Sequence, residues 1–207
     1  YPAVEKVARL LRAGPGKIQH GAITGREHIF RADADFFDVV PLPVAYGTLK
    51  DAMASPGGVV IDRSTARRYF GQDDAVGQSL TIEGRPAIVR AVIEDLPRNA
   101  TTIESGIFTP YEGCRDARVS CGMTRLYLRL KPGAIFTAEQ ATTAMWRAPG
   151  MKAYAQRRDV DGNPILRDAT LLPLNKVNLW ESFNPGIRLR LGAAAMTGAL
   201  VLLIAAI

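Results

Sequence analysis

Histidine and cysteine are scarce in this chain, with two of each among 207 residues. His20 and His28 lie far from Cys114 and Cys121, and C-x6-C is not a zinc spacing, so no four-ligand metal set can be assembled. The histidines stand eight apart in β-like sequence and read as surface or internally satisfied positions rather than ligands. So little histidine starves a Ser-His-Asp system, and no G-x-S-x-G elbow occurs. No block of Lys and Arg interleaved with aromatics appears either, which removes the usual footprint of nucleic-acid binding. Repeats and low-complexity tracts are also missing. What remains, 47% hydrophobic and 22% charged residues, is ordinary globular material.

The motifs that surface on a first pass do not survive a second. Gly14-Pro15-Gly16-Lys17 resembles a phosphate-binding loop, but Leu11 stands where its first glycine belongs and Ile18 replaces the hydroxyl that would hold magnesium. Asp159-x-Asp161-x-Asn163 resembles the start of a calcium loop. Pro164 takes its obligatory glycine position and Thr170 its bidentate glutamate, so it reads as a polar turn. Asp73-Asp74 and Glu94-Asp95 are adjacent carboxylates at the ends of elements and read as solvated. Arg67-Arg68, on a short helix, reads as a solvated face, with a partner contact as the alternative. No catalytic, cofactor-binding or metal-binding residue is assigned, and no cofactor is expected.

Charge and hydropathy are informative toward the end of the chain. Of the formal excess of +6, residues 1–50 contribute 7 basic against 5 acidic groups, 51–146 contribute 11 against 11, and 147–207 contribute 8 against 4. Arg188 and Arg190 precede seventeen residues, Leu191 to Ile207, without charge or proline. As a helix this run covers about 25 Å of a hydrocarbon core roughly 30 Å thick. The expectation is a polar domain running into the start of a transmembrane helix, 187–207, in a piece of a larger membrane protein. Basic residues there suit anionic lipid headgroups rather than nucleic acid. The arginines alone would favour a cytoplasmic domain, but that rule is weak for long domains, so orientation stays open on charge alone. Cys114 and Cys121 would close a short disulfide loop in an oxidising compartment, the favoured reading, or be two unrelated thiols in the cytosol.

The local pattern is mixed. Tyr1 to Leu11 reads as an amphipathic helix with Val4, Val7, Leu10 and Leu11 on one face, followed by a turn at Ala13–Gly16. Lys17 to Phe37 reads as strands broken at Gly21 and Gly25, with Phe36 and Phe37 on opposite strand faces. Val59–Ile61 is a buried strand, Asp62 or Ser64 caps a helix that Gly71 ends, and Leu80–Ile82 and Ala87–Ile93 form a hairpin across Glu83-Gly84-Arg85. Arg125–Leu130 alternates as a strand, and Thr137 to Gln140 is a capping box for a helix that stops before Pro149-Gly150. A further helical piece, Met151–Arg158, and a last strand, Ile165–Val177, precede the junction Asn184-Pro185-Gly186. Composition and pattern thus give an α+β domain with no visible chemistry.

The order of short signatures between Asp33 and Leu96 is more specific. Asp35-Phe36-Phe37-Asp38-Val39, then Pro43 with Gly47, are followed by Val59-Val60-Ile61-Asp62 and Ala66-Arg67-Arg68-Tyr69-Phe70-Gly71. Asp74-Ala75-Val76-Gly77-Gln78-Ser79-Leu80 and Ile88-Val89-Arg90-Ala91-Val92 come next. The series resembles the MacB-like periplasmic core domain of FtsX-like ABC transporter permeases. It departs from that pattern at Thr48, Ala75, Gln78 and Arg90-Ala91. The resemblance implies a mixed-sheet α+β domain with a discontinuous Porter-like subdomain (1–50 and 120–186) and an inserted Sabre-like subdomain (51–119). It implies a multi-pass inner-membrane protein with this domain in the periplasm, coupling ATP hydrolysis by a separate cytoplasmic ABC ATPase subunit or domain to export or mechanical work. A second permease copy, a periplasmic adaptor and membrane lipid are the implied partners, with Pro185 and Gly186 as a coupling hinge. The rival readings are a sensor or adaptor with a single anchor and a membrane-anchored enzyme.

Overall fold

The computed structural model describes residues 1–50, 52–96, 103, 106–112, 123–147, 162 and 171. In chain order they form β1 (Val4–His20), β2 (Ile23–Ala32), α1 (Phe36–Val39), β3 (Val44–Gly47), β4 (Gly58–Asp62) and α2 (Arg63–Phe70). These are followed by β5 (Ser79–Ile82), β6 (Arg85–Ile93), β7 (Phe108–Pro110), β8 (Met123–Leu130) and α3 (Ala138–Arg147). The α+β class holds. Eight strands share one mixed sheet in the order β2-β7-β4-β6-β5-β1-β8, with β3 added on β6. The β2–β7 and β4–β6 pairs are parallel. Because β2 also pairs with β1, the path of pairings returns to its start.

The chain divides into two compact units, one of Tyr1–Arg98 with Ile103–Phe136 and one of Asn99–Thr102 with Thr137–Ile207. The sheet, α1 and α2 belong to the first unit, and α3 to the second. α3 opens on the expected capping box: Gln140 N–H donates to Thr137 Oγ1 at 3.2 Å and Thr137 N–H donates to Gln140 Oε1 at 3.1 Å. Among the described residues no helix is long and apolar enough to cross a bilayer. The run Leu191–Ile207, the helical piece Met151–Arg158 and the strand Ile165–Val177 lie outside the described residues.

The first eleven residues are not a helix. They open β1, which pairs with β8 over Val4–Arg12 and with β2 over Leu10–His20. Helical spacing of Val4, Val7, Leu10 and Leu11 is also compatible with a strand over so short a run. Ladder hydrogen bonds on two edges decide the matter, with Ala8 and Leu10 turned inward and Val7 outward. Ala13–Gly16 is likewise no chain reversal. The register with β2 shifts between Arg12 and Gly14, a bulge at which Gly14 takes φ +86° and Pro15 is tolerated within the strand. Gly21 does end β1, whereas Gly25 stays inside β2.

Phe36 and Phe37 lie on the single turn of α1, not on a strand, so both can face one side, and both are buried. With Phe30 and Phe108 they form an aromatic cluster whose ring centroids lie 5.3–6.0 Å apart. Around it gather Ala8, Leu10, Val60, Ala91 and Ile93. The opposite core holds Ile18, Ile29, Val59, Ile61, Leu80, Val89 and Tyr69. β6 serves both, because its register with β4 slips between Val89 and Ala91 and leaves Arg90 as an extra, exposed residue. The β5–β6 hairpin turns on Glu83 and Gly84, both with positive φ, 51° and 81°. Glu83 is held in that conformation by its N–H bond to Lys17 O at 2.8 Å and its carboxylate contact with Arg31 at 3.0 Å.

Candidate functional site

The densest polar arrangement surrounds α2. Asp62, the last residue of β4, is extended (φ −86°, ψ 167°), and its Oδ1 accepts from Thr65 N–H at 2.8 Å. Of the two candidate caps it is therefore the one used. Ser64 is already helical, and its N–H donates to Asp95 Oδ1 at 2.8 Å. At the other end Gly71 takes φ +72°, which lets its N–H reach Arg67 O at 2.9 Å. The inward face is Thr65, Ala66 and Tyr69.

The outward face carries three arginines, each with a carboxylate. Arg63 donates through Nε and Nη2 to Glu94 at 2.7 and 3.0 Å, and through Nη1 to Asp73 at 2.6 Å. Its guanidinium also lies over the Tyr46 ring at 5.4 Å. Arg67 grips the same Asp73, with Nη2 at 2.8 Å and a second bond from Nε. Arg68 pairs with Glu27 on β2, which also accepts from Tyr69 Oη at 3.3 Å. Tyr69 Oη lies where a Cβ on Gly25 would stand, so the absent side chain is what admits the ring to the strand.

These contacts set the protonation states. Hydrogen bonds from Arg67, then from Arg63, hold the Asp73 carboxyl below its usual range against the opposing effect of desolvation. Glu94 first and Asp73 second raise the Arg63 pKa, and Glu27 raises that of Arg68. Burial, then the neighbouring Glu27 charge, pushes the Tyr69 phenol up. Asp73 is ionised at any ordinary pH and has no proton to donate. Chemically this belt holds the helix in place.

The sequence-derived sites are distributed as follows. Arg67 and Arg68, read as one solvated face, are over half exposed but tied to different elements. Asp73, read as solvated, is the shared anchor of two arginines, while Asp74 Oδ1 accepts from Val76 N–H at 3.1 Å in a local turn. Glu94 and Asp95, also read as solvated, fix the start of α2. His20 Nδ1 lies 2.9 Å from Ser79 O, and its ring sits 4.5 Å from that of Phe70, a satisfied position. His28 differs, because its Nδ1 is buried with no hydrogen-bond partner among the described residues. Among the described residues no group of three His, Cys, Asp or Glu could hold a metal ion. Cys114, Cys121, Pro185, Gly186 and the Asp159–Pro164 turn, Gly162 aside, lie outside the described residues. The Arg63 fork was not anticipated. Its partners are ten and thirty-one residues away, and no local signal joins them.

The model of the MacB-like periplasmic core domain family matches residues 1–145. Among solved structures, the fold is similar to a domain described as that of a permease protein from Porphyromonas gingivalis. That match has a TM-score of 0.60 at 22% identity over 83% of this chain and 77% of that one. It is also similar to the periplasmic region of MacB from Actinobacillus actinomycetemcomitans, with a TM-score of 0.58 and 15% identity over 90% and 79% of the two chains. A third is the extracellular domain of the noncanonic ABC-type transporter YknZ from Gram-positive bacteria, with a TM-score of 0.50 and 15% identity over 69% and 71%. At these identities the structures speak to the fold alone. No curated protein matches the chain in sequence.

Proposed function

We propose, on the premise that this chain belongs to the MacB-like periplasmic core domain family, that it is the extracytoplasmic domain of an ABC transporter permease subunit. In this reading a cytoplasmic ATPase, in another subunit or domain, hydrolyses ATP, and the domain passes the resulting motion outward for export or mechanical work. The family match over residues 1–145 carries the reading. It is supported by a site in which Arg63 and Arg68 tie α2 to Glu94, just past β6, and to Glu27 on β2, an arrangement that fixes the helix on the sheet.

Within that reading the segments 1–50 with 120–186 form the Porter-like subdomain, 51–119 the Sabre-like insertion, and 187–207 the start of a membrane helix. Cys114 and Cys121 are joined as a disulfide, for which mass spectrometry of envelope-purified protein should find no free thiols. Motion passes through Pro185 and Gly186, one with a fixed φ and the other with wide freedom. Inserting a flexible Gly/Ser segment after Gly186 then uncouples transport while leaving ATP hydrolysis and folding nearly intact. Transport at the wild-type rate in that insertion variant would reject the coupling role.

A further inference from the structure

The tip of the β5–β6 hairpin overhangs the rest of the sheet. β4 pairs with β6 only from Ile88 to Ile93, so Arg85, Pro86 and Ala87 have β5 as their one strand partner among the described residues. Pro86 brings no N–H to that ladder. On its other edge β5 meets β1 at two residue pairs, Ile18–Ile82 and Gln19–Thr81, whereas β1 pairs with β2 all the way from Leu10 to His20. The other narrow junction of the closed sheet, Val60–Phe108 between β4 and β7, lies wholly in the core. A two-stranded ribbon is marginal by itself, so the tip, Leu80 to Ala87, depends on what holds it down. Leu80, Ile82 and Ala87 pack into the core that holds Ile18 and Ile29.

Polar contacts close the tip over that core. Glu83 N–H donates to Lys17 O at 2.8 Å, and His20 Nδ1 lies 2.9 Å from Ser79 O. The turn residues Glu83 and Arg85, on either side of Gly84, carry opposite charges to two different elements. Glu83 meets Arg31 on β2 at 3.0 Å, and Arg85 meets Glu112, just past β7, at 3.4 Å. The stem of Glu83 lies 3.2 Å from where a Cβ on Gly16 would stand, so the bare backbone at Gly16 leaves room for this clasp. Glu83 holds its φ of 51° to make it, a conformation that costs a residue with a side chain and points to a task. We propose that Leu80–Ala87 is a flap, latched by these two ionic clasps, that opens as a unit while the rest of the sheet stays closed. The clasping side chains are 37–65% exposed, so dissolved ions screen them, unlike the buried β4–β6 pairing. Opening turns Ile18, Leu80 and Ile82 toward water, which keeps the open form a minor population. Weakening either clasp shifts the balance toward it.

The test is amide hydrogen exchange on the full chain, read by mass spectrometry at about 0.05 M and about 1 M NaCl. Amides in 80–87 should exchange about tenfold or more faster than those in 58–62 and 88–93, the mark of a local opening rather than a global one. High salt should speed the flap by about threefold or more relative to β4 and leave the β1–β2 amides unchanged. The double variant E83Q/R85Q, which keeps the backbone bond to Lys17 O, should speed the flap to a similar degree at low salt and abolish its response to added salt. Protection of 80–87 equal to that of β4 overturns the proposal, because the tip would then open only with the whole sheet. A flap rate indifferent to salt overturns it too, as does E83Q/R85Q exchanging like wild type. Failure of the coupling reading is separable: wild-type transport in the Gly186 insertion variant would leave exchange in the flap untouched.

Discussion

The α2 belt and the outer face of the β1–β2 hairpin use the same cations in opposite ways. On α2, Arg63 and Arg68 reach Glu94, just past β6, and Glu27 on β2, Arg67 and Arg63 share Asp73 in the loop after the helix, and Asp62 and Gly71 cap its two ends. On the hairpin, Lys17 and Arg26 face one another, and neither has a carboxylate partner among the described residues. A fold that matches charges so closely around one helix leaves two opposed on a neighbouring strand pair. The belt specifies the structure, whereas the exposed pair on the hairpin adds a local repulsion that the fold tolerates.

Substitutions in the two regions should therefore diverge. The largest effect is expected for Tyr69→Ala. This side chain is 1% exposed, fills the core between α2 and the sheet and donates to Glu27. Its loss leaves a cavity beside Gly25 and should cost about 3–5 kcal/mol in chemical denaturation. Thr24→Ala, on the open face, should stay within about 0.5 kcal/mol. A loss at Thr24 approaching that at Tyr69 would erase the distinction.

Helix-end changes come next. Gly71→Ala forces a side chain into a left-handed conformation with open space around it, so backbone strain alone should cost about 1–2 kcal/mol. Gly14→Ala, at the bulge with φ +86° and nothing near its Cβ, should cost about the same. Strain of this kind ignores which region it sits in, and a large gap between the two would mean that the bulge relaxes. Asp62→Ala removes the Thr65 bond and should cost about 1 kcal/mol, whereas Ser64→Ala should be nearly silent because only its backbone N–H is used.

How far such features can be seen in the sequence depends on whether their cause is local. β4, α2 with its cap and Gly71, the β5–β6 hairpin and the Thr137 capping box each arise from signals a few residues apart, and all were legible. β1 was not, because its strand character comes from partners on two edges, one of them more than a hundred residues away. Phe36 and Phe37 were recognisable as core residues, but their conformation depends on the aromatic cluster that receives them. At the belt the charges were visible and their pairing was not. Arg63 and Glu94 share a neighbourhood only because β4 and β6 run parallel side by side.

The smallest expected effect concerns acid. Asp73 has a folded-state pKa below its ordinary value of 3.8, caused first by Arg67 and then by Arg63. A depressed carboxyl contributes stability that is fully present above its unfolded value and is lost as pH falls through the folded one. Asp73→Asn should accordingly lower Tm at neutral pH, and the deficit should shrink below about pH 4 until the two proteins melt together once wild-type Asp73 is protonated. The arginine partners stay charged throughout and add no slope of their own. Asp74→Asn keeps an acceptor for Val76 N–H and involves no guanidinium among the described residues, so its Tm should track wild type across the same range. Thermal melts from pH 2 to pH 7 separate these outcomes. A deficit in Asp73→Asn that persists unchanged at the lowest pH would mean that its contribution is shape and hydrogen bonding rather than charge, and the belt would then owe its hold on α2 to packing.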